Sequence, residues 1–384
     1  MAGALAIAAD RVFDGETFHP DAAAVIENGC VLDCVPADRA PDAVRLPPGA
    51  VLAPGFIDTQ VNGGGGVLLN DAPTVEGVRR IAEAHRRFGT TGLLPTLISD
   101  RRPVMKRAIA AVGEAMAAGV PGVLGIHLEG PFLNPARKGI HPPEHLVSVE
   151  DGDAELLSAL GPRGATLVTL APERVPSGFV ADLRRRGVLV SAGHTDGTPA
   201  DLLPALDEGL TGFTHLYNAM SPLGARAPGA VGTALADRRA FAGIVADGHH
   251  VSDLSLLAAF RAMGPERLML VTDAMGTVGT DQTRFALFGR EIRVENGRCA
   301  AADGTLAGSA LDMAGAVRHA VGLGIAMGDA LRMASRTPAA FLGLDRERGR
   351  IAPGFRADLV ALDADLRVLA TWIGGRALWN GADR

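Results

Sequence analysis

Eight short apolar runs, at 51–62, 89–97, 122–131, 165–173, 188–195, 212–219, 241–251 and 268–275, recur along the chain with amphipathic stretches between them. Those stretches include VEGVRRIAEAHRRFG, RPVMKRAIAAVGEAMAAG and SGFVADLRRRG. Short apolar runs alternating with helical patterns argue for parallel strands joined by crossover helices. Eight is the number that closes a TIM-like (β/α)8 barrel, where functional residues gather at the C-terminal strand ends. An open doubly wound sheet shares the alternation, but no run is followed by G-x-G-x-x-G or a P-loop. The NGGGG after Val61 lacks the lysine and the spacing of a phosphate loop, and is read as close backbone approach at the barrel mouth.

The two ends of the chain have a different pattern. Residues 1–52 and 351–384 are β-like and broken by Asp-Gly, Asn-Gly and Pro-Gly turn signals. The expected organisation is α/β: a (β/α)8 catalytic barrel over 53–350 and a small β-sandwich domain composed of 1–52 and 351–384. A β-hairpin insertion with an Asn-Gly turn is expected near 283–307. A chain of 384 residues, 47% of them hydrophobic, can bury cores of that size.

The formal net charge of -6, without a block of like charges, gives no footprint for nucleic acid or an anionic membrane. A small-molecule partner is expected instead. Cys30, Cys34 and Cys299 make neither a disulfide framework nor a closed zinc site. No targeting signal and no apolar run near the roughly 18 residues of a membrane span are read, so a cytoplasmic location is expected.

Four runs end on a side chain that can bind metal or move a proton: Glu129 in GVLGIHLEG, His194 in VLVSAGHT, His215 in GFTHLYNA and Asp273 in LMLVTDA. Two neutral imidazoles and a carboxylate form a three-ligand set that leaves a position open, so Glu129, His194 and His215 are the expected metal ligands. Asp273 is the expected general base, with a helix cap or turn aspartate as the alternative. Where barrels of this kind often carry His-x-His, the first strand has Gln60 and Asn62, and amides bind such metals weakly. One ion per subunit is therefore expected, with Gln60 and Asn62 either structural or in contact with substrate.

The long segment GPFLNPARKGIHPPEHL suits a loop over the site. His141 in it is the candidate to polarise a carbonyl, the alternative being an exposed loop histidine. His249 and His250 face opposite ways, one toward the mouth. Arg226 suits a phosphate, or is a solvated surface residue. His127 is expected to be buried and hydrogen-bonded. His19, His85, His145 and His319 are given no chemistry, His85 being placed on a basic helix face.

Together PGFIDTQVNGGGG, HLEGPFLNPARKGIHPP, SAGHTDGT, FTHLYNAMSP, ADGHHV, LVTDAMG, LAGSALDM and ASRTPAAFLGLDRERGRIAPGFRADLV resemble the N-acetylglucosamine-6-phosphate deacetylases of the amidohydrolase superfamily. The resemblance is collinear over nearly the whole chain. HLEGPFLNPARKGIHPP and HLYNAM are the segments specific to the deacetylases, whereas PGFID and GRIAPGFRADLV are shared across the superfamily. It implies a metal on Glu129, His194 and His215, Asp273 as acid/base and His141 on the substrate carbonyl. It also implies that His250, Arg226 and the backbone around Asn218 and Ala219 bind a phosphorylated amino sugar. Arg226 would reach the neighbouring subunit's site in a homodimer. Zinc and ferrous iron both suit the ligand set. The implied reaction is hydrolysis of the acetamide of N-acetyl-D-glucosamine 6-phosphate to D-glucosamine 6-phosphate and acetate. The alternatives are hydrolysis of an N-acyl amino acid or a cyclic amide, or a catalytically silent scaffold.

Overall fold

The computed structural model describes residues 5–380; the share of the small β domain expected from 1–4 and 381–384 lies outside the described residues. Eight parallel strands pair in chain order: β1 (Phe56–Val61), β2 (Thr90–Ile98), β3 (Gly125–Glu129), β4 (Ala165–Leu170), β5 (Leu189–Ala192), β6 (Gly212–Phe213), β7 (Phe241–Val245) and β8 (Leu268–Val271). A parallel bridge between Val61 and Ala274 brings the last strand back to the first. The Asp273 N–H donates to the Gln60 carbonyl at 3.0 Å across that seam. The barrel read from the eight runs is therefore the fold.

Helices follow the strands because their apolar residues recur on one face. In the helix Val75–Arg86 the buried residues include Val78, Ile81, Ala82 and His85, spaced three and four apart, and the Thr74 side chain caps its start by accepting from the Gly77 N–H. His85 is a correction to the reading of a basic helix face, since it is fully buried and its Nε2 lies 2.8 Å from the Gly63 carbonyl. The glycine run explains why this packing is possible. A Cβ on Gly64 would come within 3.0 Å of the His85 ring, and one on Gly63 would meet the Val67 carbonyl at 2.3 Å.

The chain ends pair into one eight-stranded sheet in which Leu359–Leu362 runs antiparallel to Val51–Pro54, next to Leu5–Phe13. Strand alternation sends Val51, Ala53, Val360 and Leu362 into the large barrel-side core. Leu52, Leu359 and Ala361 turn the other way, into a second core with Ile7, Ala24 and Trp372. Two short stretches far apart in sequence thus share a core that neither could build alone.

The insertion after β8 is larger than the hairpin expected from the sequence. Four antiparallel strands, Arg284–Leu287, Arg290–Glu295, Arg298–Ala301 and Leu306–Ser309, form a meander. The Asn296-Gly297 turn, with both residues left-handed, joins its middle pair. The last strand is tied to the barrel: the Ser309 N–H donates to the Asp273 carbonyl and the Met275 N–H to the Ser309 carbonyl, both at 2.9 Å.

Candidate active site

Three of the four strand-end residues adopt a backbone that non-glycine residues avoid. His194, His215 and Asp273 have φ of 48°, 35° and 52°, and each stands two residues beyond its strand. The left-handed turn ends strand geometry early, which is why β6 has only two residues where a run over 212–219 was expected. Strain of this kind persists where surrounding contacts over-determine it, and it concentrates at functional sites. Here it turns three side chains inward over the barrel axis, toward Glu129 at the end of β3.

Glu129 Oε1 lies 3.2 Å from His194 Nε2 and 2.9 Å from His215 Nε2, and the two imidazole nitrogens are 3.0 Å apart. Donor atoms at the corners of so small a triangle can all reach one ion at bond lengths of about 2.0–2.2 Å. The tautomers agree with ligation at His194, where Nδ1 donates to the Arg137 carbonyl at 2.8 Å and leaves the Nε2 lone pair facing the triangle. Burial by itself would raise the Glu129 pKa, but the bonds to His194 and His215 outweigh it and hold the carboxyl well below its ordinary range. Burial opposes a charge on His215 too, and the Glu129 contact overrides it, raising that pKa. A second grouping, Glu129, His141 and His194, has its donor atoms within 4.8 Å of one another. The set with His215 is the tighter one, so the residues fit the metal site read from sequence.

His141 is buried rather than exposed in its loop. The Ser99 N–H donates to its Nδ1 at 3.3 Å, and the Ser99 Oγ is 2.8 Å from the same nitrogen. The Ser99 N–H, which can only donate, favours the tautomer with the proton on Nε2, whereas the Ser99 Oγ, whose own proton reaches the Glu129 carbonyl at 3.1 Å, can accept from Nδ1. Nε2 faces the carboxylate of Glu129, 3.8 Å from Oε2. Burial, with the neighbouring His194, pushes the His141 pKa well below the histidine range, which favours the neutral ring.

Asp273 is held by the two amides of the first strand. Its Oδ1 accepts from Asn62 Nδ2 at 2.6 Å and from Gln60 Nε2 at 3.2 Å, while Gln60 Nε2 also reaches Glu129 Oε1 at 3.1 Å. Burial, and then the negative charge of Glu129, raises the Asp273 pKa to about 6. Behind it Asp58 is fully buried and accepts from the Thr272 Oγ1 at 2.5 Å and from the Gln60 N–H at 3.1 Å; burial raises its pKa to about 7.

Glu129, His141, His194, His215 and Asp273 open into one cavity of 370 Å³ that His250, Asn218 and Ala219 also line. His250 faces it while its Nδ1 is paired with Asp247 Oδ2 at 2.7 Å; His249 turns away and contacts the Asn296 carbonyl at 2.9 Å. Arg226 is exposed and is not among the residues lining this cavity. His127 is buried between Thr96 and Thr169, with Nε2 2.7 Å from the Thr169 Oγ1, as expected of a structural histidine.

Sequence reasoning missed Ser99, the Arg137 carbonyl, and Thr305, Leu306 and Gly308, which the insertion brings to the cavity wall. Ser99 had a faint signal, a polar residue directly after the apolar strand TTGLLPTLI. A backbone carbonyl has none, and the insertion's approach depends on the barrel being closed.

A buried triangle of two histidines and a carboxylate at the mouth of a (β/α)8 barrel, with a separate aspartate beside it, defines a metal-dependent hydrolase. The Amidohydrolase family matches residues 51–378, and the chain belongs to it. Within the family it is 48% identical to the N-acetylgalactosamine-6-phosphate deacetylase of Shewanella sp. (strain ANA-3), over 88% of this chain and 85% of that protein. It is 40% identical to the human N-acetylglucosamine-6-phosphate deacetylase, covering 89% of this chain and 87% of that one. Among solved structures, N-acetylglucosamine-6-phosphate deacetylase from Pasteurella multocida superposes with a TM-score of 0.95 at 31% identity, covering 98% of this chain and 100% of that one. A variant of the Mycobacterium smegmatis enzyme in complex with N-acetyl-D-glucosamine-6-phosphate superposes with a TM-score of 0.91 at 33% identity, covering 98% and 99%.

Proposed function

We propose that the chain is a deacetylase that hydrolyses the acetamide of N-acetyl-D-glucosamine 6-phosphate to D-glucosamine 6-phosphate and acetate. The observation that carries this reading is the approach of Glu129, His194 and His215 to within 3.2 Å of one another, in a cavity that His141 and Asp273 also line. The relatives named above support the choice of substrate. Glu129, His194 and His215 would hold one divalent ion, zinc or ferrous iron, which when bound would supply Lewis acidity for the hydrolysis.

The remaining work falls to the side chains. His141 donates its Nε2–H to the carbonyl oxygen and stabilises the charge that grows there. Asp273 takes a proton from the water as its oxygen bonds to the carbonyl carbon, then hands a proton to the nitrogen as the C–N bond breaks. His250 and the backbone at Asn218 and Ala219 hold the sugar phosphate. Arg226, outside its own cavity, serves the neighbouring subunit's site in a homodimer. A cytoplasmic location completes the reading, supported by three free thiols; no helix of the described residues is long and apolar enough to cross a membrane.

A second reading has a specific observation in its favour: the 48% identical relative is named for the galactosamine epimer. Acetate release from both sugar phosphates and from unphosphorylated N-acetylglucosamine, with protein loaded with one defined metal, tests the proposal. Rapid release from N-acetylglucosamine 6-phosphate is expected, and a higher kcat/KM for the galactosamine epimer selects the second reading. Equal rates with and without phosphate defeat the anchor, and no release from any sugar defeats the assignment. For the dimer, Arg226→Ala and Asp273→Asn subunits are mixed. Each alone is expected to be impaired, and the mixture should regain about one quarter of wild-type activity through hybrid sites.

A further inference from the structure

We propose that Asn62 is a positioning residue for the hydrolytic step, selecting which oxygen of Asp273 moves the proton and accepting a hydrogen bond from the N–H of the scissile amide. This rests on the reading in which Asp273 is the acid/base. Asn62 Nδ2 donates to Asp273 Oδ1 at 2.6 Å, and Gln60 Nε2 adds a second, longer bond to the same oxygen at 3.2 Å. An oxygen with both amides on it is the weaker base, so Oδ2 is left to take and return the proton. The orientation of Asn62 is not free, because a flipped amide would set its carbonyl against a carboxylate.

That orientation has a second consequence. Asn62 Oδ1 is buried and has no hydrogen-bond partner among the described residues, yet Asn62 lines the cavity. Buried acceptors are normally satisfied, and an unmet one in a residue that lines the cavity is a place for a donor that arrives with the ligand. The scissile N–H is that donor, since Asp273, already bonded to Asn62, delivers its proton to the same nitrogen. Gln60 cannot substitute: its amide is shared between Glu129 and Asp273, and it is not among the cavity-lining residues.

The test compares Asn62→Ala with the near-isosteric Asn62→Asp, both assayed at equal metal content. The expected result is a 10- to 100-fold fall in kcat for Asn62→Ala with KM changed less than fivefold. Asn62→Asp should fall at least as far, because it loses the donor and adds a like charge beside Asp273. A role in packing alone lowers the stability of Asn62→Ala but leaves its kcat near wild type at equal metal content, and that result overturns the proposal. Replacing the substrate's N-acetyl group by O-acetyl removes the N–H, and should shrink the ratio of wild-type to Asn62→Ala rates; an unchanged ratio overturns the N–H contact. If Asn62→Ala does not fold, Asn62→Ser carries the same comparison. Wild-type protein that releases no acetate defeats the underlying reading instead, whatever the variants do.

Discussion

The sheet built from the chain ends and the mouth of the barrel both contain left-handed non-glycine residues, but for different reasons. In the sheet Asn28, φ 51°, falls at the turn beside Gly29 between the strands Phe18–Glu27 and Cys30–Pro36, while Leu366 holds another turn and Asp21 lies inside Phe18–Glu27. Asparagine tolerates that conformation, so local chemistry accounts for it. At the mouth they are His194, His215, Tyr217, Ala219 and Asp273. Histidine and aspartate adopt it more readily than most residues, yet nothing in the local sequence requires it at tyrosine or alanine. It is imposed by contacts across the barrel, such as the Thr195 N–H donating to the Ala219 carbonyl at 3.1 Å. Strain settled locally supports a fold, whereas strain imposed from a distance aims side chains.

The sharpest way to break the contrast is Asp273→Asn, which keeps the shape of the mouth and removes the base. It should retain metal, measured by elemental analysis, and lose about 10²- to 10⁴-fold in kcat. His141→Ala comes next, with a loss of about 10²- to 10³-fold in kcat and little change in metal content. A loss of bound metal in this variant would make His141 a ligand, as the grouping of Glu129, His141 and His194 would allow.

Beneath the mouth, His85 gives a pH-dependent stability test. Burial pushes its pKa down to about 4. Below the ordinary histidine value near 6.5 the unfolded chain binds a proton that the folded chain refuses, so stability falls as pH drops from there toward about 4. His85→Gln, which keeps a donor for the Gly63 carbonyl, should lose about 2 kcal/mol less than wild type between pH 7 and pH 5 in urea denaturation. Equal losses would mean the imidazole is not the sensor.

The smallest effects test the opening comparison directly. Ala219→Gly relieves left-handed strain and should raise stability by up to about 1 kcal/mol. Asn28→Ala in the sheet turn should lower it by about 1 kcal/mol with kcat/KM unchanged. Thermal unfolding and kinetics on both variants decide it. If Ala219→Gly left kcat/KM unaltered as well, the backbone conformation at the mouth would have no functional weight.

Much of the site was legible because a barrel converts one-dimensional spacing into convergence. Glu129, His194, His215 and Asp273 ended apolar runs, and their meeting follows once eight strands close in chain order. The two amides of the first strand, Gln60 and Asn62, were legible too, standing where two imidazoles could have stood. The bonding of those amides was not, since Asn62 and Asp273 are 211 residues apart and the choice of oxygen depends on angle. His85 misled because a helix flanked by arginines looks solvated, and only the removal of side chains at Gly63 and Gly64 lets it pack inward.

The sequence by itself determined the barrel, the pairing of the chain ends and the chemical character of the mouth, because hydrophobic periodicity and residue type are local quantities that survive without coordinates. The tertiary structure alone decided the left-handed turns at His194, His215 and Asp273, the tautomer of His194, and the approach of the insertion to the cavity. Each of these is set by a hydrogen bond or a close packing contact between segments distant in the chain, and its geometry exists only after the barrel has closed.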